Sequence, residues 1–127
     1  MKIDHIAIYT HELENMKDFF VKYFNGTAGD KYHNTKSGFM SYFISFEDNT
    51  RIEIMTRPEL NLSDKEKIGV GYHHLSFSLG GRKKVDKLTS ELSKDGYNVI
   101  SGPRTTGDGY YESQISIIEG NIIEITE

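Results

Sequence analysis

The 127-residue sequence predicts an α+β fold: two tandem βαβββ modules forming a curved mixed sheet with helices on its outer face. Three observations predict it. The hydrophobic period runs from two to 3.6 and back to two, in the same order, in each half of the chain. The helical apolar positions superpose at an offset of 69, which sets Met16, Phe19 and Tyr23 on Val85, Leu88 and Leu92. Each half also carries a histidine early in one strand and a glutamate in a later one. Glu53 follows His5 by 48 residues, and Glu124 follows His74 by 50. The halves share few identical residues, so the repeat rests on pattern.

Residues 3–9 alternate as a strand. Residues 11–24 form an amphipathic helix through Leu13, Met16, Phe19, Phe20, Tyr23 and Phe24, closed by Asn25-Gly26. A weak strand lies within 28–33, and firmer ones at 39–46 and 50–55 are joined by the turn Glu47-Asp48-Asn49. Residues 1–57 make the first module. Residues 58–71 are a polar connection, with a short helical turn around 63–67. Residues 72–127 make the second module: a strand at 72–79, a helix at 82–95 ended by Gly96, and strands at 97–100, 110–117 and 121–126.

A chain of this size is one ordinary domain or two small modules. With 36% hydrophobic and 27% charged residues it is neither disordered nor membrane-like. No apolar run is long enough to span a bilayer and the start lacks a signal-like segment, so a cytoplasmic location is expected. Having no cysteine excludes disulfides, thiolate ligands and a cysteine nucleophile. A net charge of −4, with no basic cluster beyond Arg82-Lys83-Lys84, argues against nucleic acid as a partner.

Strand side chains alternate faces. Opposite His5 stand Ile6 and Ile8; opposite Glu53, Ile52 and Ile54; opposite His74, Leu75 and Phe77; opposite Glu124, Ile123 and Ile125. In every case an aliphatic face is left for a helix to cover, and the candidate ligand projects from the other face. Clustered carboxylates are costly unless paired or metal-bound. His5, Glu53, His74 and Glu124 are therefore the expected ligands of a divalent metal. By parity His73 falls with the helix-facing residues and is expected to pack or hydrogen-bond, while His11, at a helix start, and His33 are expected at the surface.

At these residues the chain resembles the vicinal oxygen chelate superfamily, the glyoxalase/bleomycin-resistance/dioxygenase group. Ile3-Asp4-His5-Ile6-Ala7-Ile8 resembles its opening strand, Gly71-Tyr72-His73-His74-Leu75-Ser76-Phe77 its mid-chain metal strand, and Glu119-Gly120-Asn121-Ile122-Ile123-Glu124 its terminal Gly-Asn-x-x-Glu strand. Within the group, the His-Glu-His-Glu set looks like glyoxalase I. Two positions depart from the glutathione-dependent members, which tend to have arginine where this chain has Tyr9 and asparagine where it has Arg57.

The resemblance implies a metal-dependent isomerase or lyase performing enediolate chemistry next to a carbonyl, on a small α-oxo or thiohemiacetal substrate. The alternatives on the same scaffold are a drug-binding resistance module, a dioxygenase or a thiol transferase. A mixed N/O donor set suits nickel, zinc, cobalt, manganese or iron, and a thiol cosubstrate is possible. The resemblance favours Glu124 as the base, while near-symmetry leaves Glu53 as a rival. Residues 101–111 read as a glycine-rich lip with Arg104 as an anion contact, and Tyr9 and Arg57 as further determinants of the substrate. A homodimer is expected, with the four ligands drawn from one chain or from two.

Overall fold

The computed structural model describes residues 1–61 and 70–127, and the helical turn expected around 63–67 lies outside them. The chain divides into two compact units, Met1–Ser63 and Asp64–Glu127.

The first unit contains β1 (Ile6–Tyr9), α1 (Leu13–Phe24), β2 (Thr27–Ala28), β3 (Tyr32–His33), β4 (Met40–Ser45) and β5 (Arg51–Thr56). Its strands lie in the order β1, β5, β4, β2, with β3 also on β4. β1 runs parallel to β5, and the other pairs are antiparallel. Leu13, Met16, Phe19 and Phe20 recur at helical spacing and are buried, as are Ile44, Ile52 and Ile54 on the strands that α1 covers. The helix ends at Asn25 in the left-handed conformation (φ 52°), and Gly26 N–H reaches the Phe20 carbonyl at 3.1 Å. A Cβ at Gly26 would stand 2.5 Å from Ile44 Cγ2, so no side chain fits where the chain turns back onto the sheet.

The second unit repeats the order with β6 (His74–Ser78), α2 (Arg82–Lys94), β7 (Asn98–Thr105), β8 (Tyr111–Ser116), a 3₁₀ turn at Ile118–Gly120 and β9 (Ile122–Thr126). The strand order is β6, β9, β8, β7, again with the first strand parallel to the last. Val85, Thr89 and Leu92 of α2 are buried, together with Ile115, Ile123 and Ile125. Thr89 Oγ1 donates to the Val85 carbonyl at 2.7 Å and lies 2.8 Å from Ser113 Oγ, so the polar groups on this covered face satisfy one another.

Three expectations need correction. The first strand begins at Ile6 rather than residue 3, so His5 stands just before it, and α1 begins at Leu13, which leaves His11 outside. His11 is exposed, and its Nε2 lies 3.0 Å from the Leu60 carbonyl oxygen. β7 runs on to Thr105, far past the short strand expected at 97–100, and confines the lip to residues 106–110. Gly102 and Pro103 read as strand breakers, yet two register shifts absorb them: one between Val99 and Ser101, the other between Ser101 and Arg104. A Cβ on Gly102 (φ +93°) would come within 2.4 Å of the Glu112 carbonyl oxygen, so glycine is what allows the strands to approach there.

Candidate metal centre

Both modules set histidine and glutamate in one register. Ala7 is the partner of Glu53 across the β1–β5 pair, and Ser76 is the partner of Glu124 across β6–β9. Each histidine stands two residues before that partner, His74 within β6 and His5 immediately before β1. The unequal spacings of 48 and 50 residues therefore reach the same local geometry. His5 Nε2 lies 3.8 Å from Glu53 Oε2, and His74 Nε2 lies 3.5 Å from Glu124 Oε2.

The carboxylates have different neighbours. Glu53 is flanked by Ala7 on β1 and Phe43 on β4, neither of which offers a polar side-chain atom. Among the described residues its carboxylate makes no hydrogen bond, and His5 is the ionisable side chain beside it. Glu124 is flanked by Ser76 and Gln114. Ser76 Oγ donates to Oε1 at 2.9 Å and Gln114 Nε2 donates to Oε2 at 3.2 Å, so both oxygens are held. Burial alone would raise the Glu124 pKa, but the bonds from Gln114 and Ser76, helped by His74 and Glu112, bring it below the ordinary carboxylate value.

Glu112 on β8 completes this acidic corner. It is buried, and burial together with the negative charge of Glu124 raises its pKa, against the pull of Arg104. Neither Glu112 nor Gln114 stood out in the sequence. The available signal was their period-two spacing on one strand, which marks a shared face but not what that face meets.

The residue before each histidine contacts its Nδ1. Asp4 Oδ2 accepts from His5 Nδ1 at 2.9 Å and also from Arg51 Nη2. His73 Nδ1 lies 2.9 Å from His74 Nδ1, with the rings edge to face. His73 is thus exposed and hydrogen-bonded to its neighbour rather than packed toward the helix.

The donor chemistry fits a divalent ion. A metal about 2.0–2.2 Å from each donor puts ligand atoms about 2.8–3.1 Å apart at a right angle and about 3.3–3.6 Å apart at the tetrahedral angle. The His74–Glu124 pair, at 3.5 Å, falls in the tetrahedral range, and the His5–Glu53 pair, at 3.8 Å, lies slightly outside it. Each pair supplies two donors, and among the described residues no group of three or more His, Cys, Asp or Glu side chains is arranged to hold an ion.

Of the expected substrate contacts, Tyr9 and Arg57 come together. Arg57 Nε donates to Glu59 Oε2 at 3.1 Å, and Glu59 and the Tyr9 hydroxyl both hold the guanidinium in its charged form. They meet four residues beyond His5 and Glu53, roughly 13 Å along the strands. Arg104 sits in β7 opposite Glu112, with Nη2 3.4 Å from Glu112 Oε1 and Nε donating to Ser101 Oγ at 3.0 Å.

Residues 2–125 match the family described as the Glyoxalase/Bleomycin resistance protein/Dioxygenase superfamily, and the chain belongs to it. An uncharacterized protein of Bacillus subtilis (strain 168), YqjT, is 26% identical over 112 residues, 84% of each chain. The trypanothione-dependent glyoxalase I of Leishmania major superposes with a TM-score of 0.79 at 14% identity, covering 100% of this chain and 86% of that one. The fosfomycin resistance protein FosX of Listeria monocytogenes, in a variant complexed with Mn(II) and 1S,2S-dihydroxypropylphosphonic acid, superposes at 0.76 with 17% identity, over 98% and 90% of the two chains. At these identities the solved structures establish a shared fold. Among the described residues, no helix is long and apolar enough to cross a membrane.

Proposed function

We propose that the chain is a metal-dependent isomerase or lyase of the glyoxalase I type, acting next to a carbonyl on a small α-oxo or thiohemiacetal substrate. The observation that carries this reading is the repeated His–Glu pair, set in one register in both modules at near-chelating distance. His5, Glu53, His74 and Glu124 would hold the ion, the two pairs coming from one chain or from two copies of a homodimer. When bound, the metal supplies Lewis acidity toward the substrate's oxygens.

The proton is moved by a carboxylate of this chain, and the difference in anchoring favours Glu53 over Glu124. A base must reach one carbon, take its proton as the C–H pair moves toward the carbonyl, and return that proton to the adjacent carbon. Among the described residues, the Glu53 carboxylate makes no hydrogen bond that would hold it back. Glu124 has both oxygens held and lowered basicity, which suits a fixed ligand. Tyr9 and Arg57 would receive an anionic group of the substrate remote from the reacting carbons, with Arg104 as a second cationic contact.

The test pairs two variants, each reconstituted with cobalt(II), nickel(II) or manganese(II) and assayed with methylglyoxal and a thiol. Glu53→Gln is expected to keep the metal and lose about 100- to 10,000-fold in turnover. Glu124→Gln is expected to lose metal affinity first. Unchanged turnover in Glu53→Gln would remove it as the base. A wild-type protein that takes up no metal would point instead to a module that sequesters a small molecule.

A further inference from the structure

A neutral imidazole has one N–H and one lone pair, and the bond made by one nitrogen decides which of them the other presents. His5 turns Nε2 toward Glu53 and Nδ1 toward Asp4. An ionised carboxylate only accepts, and both ring nitrogens face one. Asp4, at 2.9 Å, is within hydrogen-bond distance and Glu53, at 3.8 Å, is beyond it, so the neutral ring carries its proton on Nδ1 and presents the Nε2 lone pair. Asp4 is itself held. Arg51 donates to the same oxygen, and its guanidinium lies 4.7 Å over the Phe43 ring, against which His5 also packs edge-on at 5.2 Å. Arg51, Asp4 and His5 thus form a chain of charge-assisted contacts on an aromatic shelf, aiming one lone pair at the glutamate.

Among the described residues, the second module has no such device. His74 Nδ1 faces His73 Nδ1 at 2.9 Å, and either ring can be the donor. Only one of the two complementary tautomer pairs leaves the His74 Nε2 lone pair facing Glu124. The position equivalent to Arg51, two residues before the glutamate, is Ile122, which brings no charge.

We propose that Asp4, backed by Arg51, is a positioning residue that locks His5 with its proton on Nδ1 and its Nε2 lone pair toward Glu53, so that the first half-site is preset before any ion arrives, whereas His74 exchanges between tautomers and is fixed in the ligating one only by the ion. The role in metal capture rests on the reading in the preceding section; the tautomer lock does not.

The experiment uses the whole chain. Long-range ¹⁵N–¹H spectra of the histidine rings are recorded without metal, above the range in which histidine titrates, and cobalt(II) affinity is measured on the same samples. Wild-type His5 is expected as a single Nδ1–H tautomer and His74 as a mixture. In Asp4→Ala, His5 should become a mixture while His74 stays unchanged, and cobalt affinity should fall about 10- to 100-fold. Asp4→Asn, which keeps an acceptor, should recover part of both effects, and Arg51→Met should lose part of both. Asp4 and Arg51 are exposed enough for these variants to fold. An identical His5 spectrum in wild type and Asp4→Ala would overturn the proposal even if cobalt binds. The tautomer shift in a wild type that binds no cobalt would uphold the lock and overturn the metal reading instead.

Discussion

In the first module the glutamate of the site stands between Ala7 and Phe43; in the second it stands between Ser76 and Gln114. Strand order, register and histidine offset are the same on both sides, so those four neighbours carry most of the contrast. An alanine and a phenylalanine leave Glu53 without a hydrogen bond among the described residues, while a serine and a glutamine clamp both oxygens of Glu124. The histidines are divided the other way, with His5 held by an ion-paired aspartate and His74 by a second imidazole. Each half thus pairs one fixed donor with one adjustable donor, in opposite assignments. A repeat can keep its geometry and still set its candidate donors differently through the residues that flank them.

This comparison is tested most severely by Glu53→Gln, for which the loss in turnover should be the largest of any change considered. Next comes the clamp. Ser76→Ala frees one oxygen of Glu124 and should weaken cobalt binding about tenfold while leaving turnover of the saturated enzyme nearly intact, as calorimetry and steady-state rates would show. Adding a clamp where none exists should be milder. Ala7→Ser offers Glu53 a hydroxyl in the place Ser76 occupies, and one added hydrogen bond of about 1 kcal/mol should slow turnover about fivefold. A turnover unaffected by Ala7→Ser would mean that freedom of movement at Glu53 does not matter.

The smallest effect concerns what ties helix to sheet. In the first module Lys31, Lys17 and Tyr42 all reach the Glu14 carboxylate, at 2.6, 3.2 and 3.1 Å. These contacts, Lys31 foremost, hold the Glu14 pKa below the ordinary carboxylate value. A depressed carboxylate contributes stability above its unfolded pKa and loses it as pH falls through the folded value. Glu14→Gln should therefore cost under about 1 kcal/mol near neutrality, and its urea midpoint should converge with that of the wild type in acid.

Much of this was legible in the sequence. Helical spacing located α1 and α2 from their buried residues, and strand parity put Glu53 and Glu124 opposite Ile52, Ile54, Ile123 and Ile125, all of which are buried. Ile6, on the face opposite His5, is instead exposed rather than covered by a helix as expected. What stayed hidden depends on register between strands distant in sequence. Nothing local to Glu53 or Glu124 says that Phe43 flanks one and Gln114 the other. Local signals also misled: Gly102-Pro103 looked like the start of a loop, whereas pairing across to Glu112 keeps Arg104 in a strand. The tie between Asp4 and His5 was adjacent in sequence but meaningful only once Arg51 was beside it.

We propose that His5, Glu53, His74 and Glu124, from one chain or from two copies, serve one ion and that the two glutamates play unequal parts. Isothermal titration of cobalt(II) into the wild type, Glu53→Gln and Glu124→Gln tests it directly. The account predicts one ion per chain in the wild type, a modest loss of affinity in Glu53→Gln and a much larger one in Glu124→Gln. No binding by the wild type, or equal losses in the two variants, would contradict it.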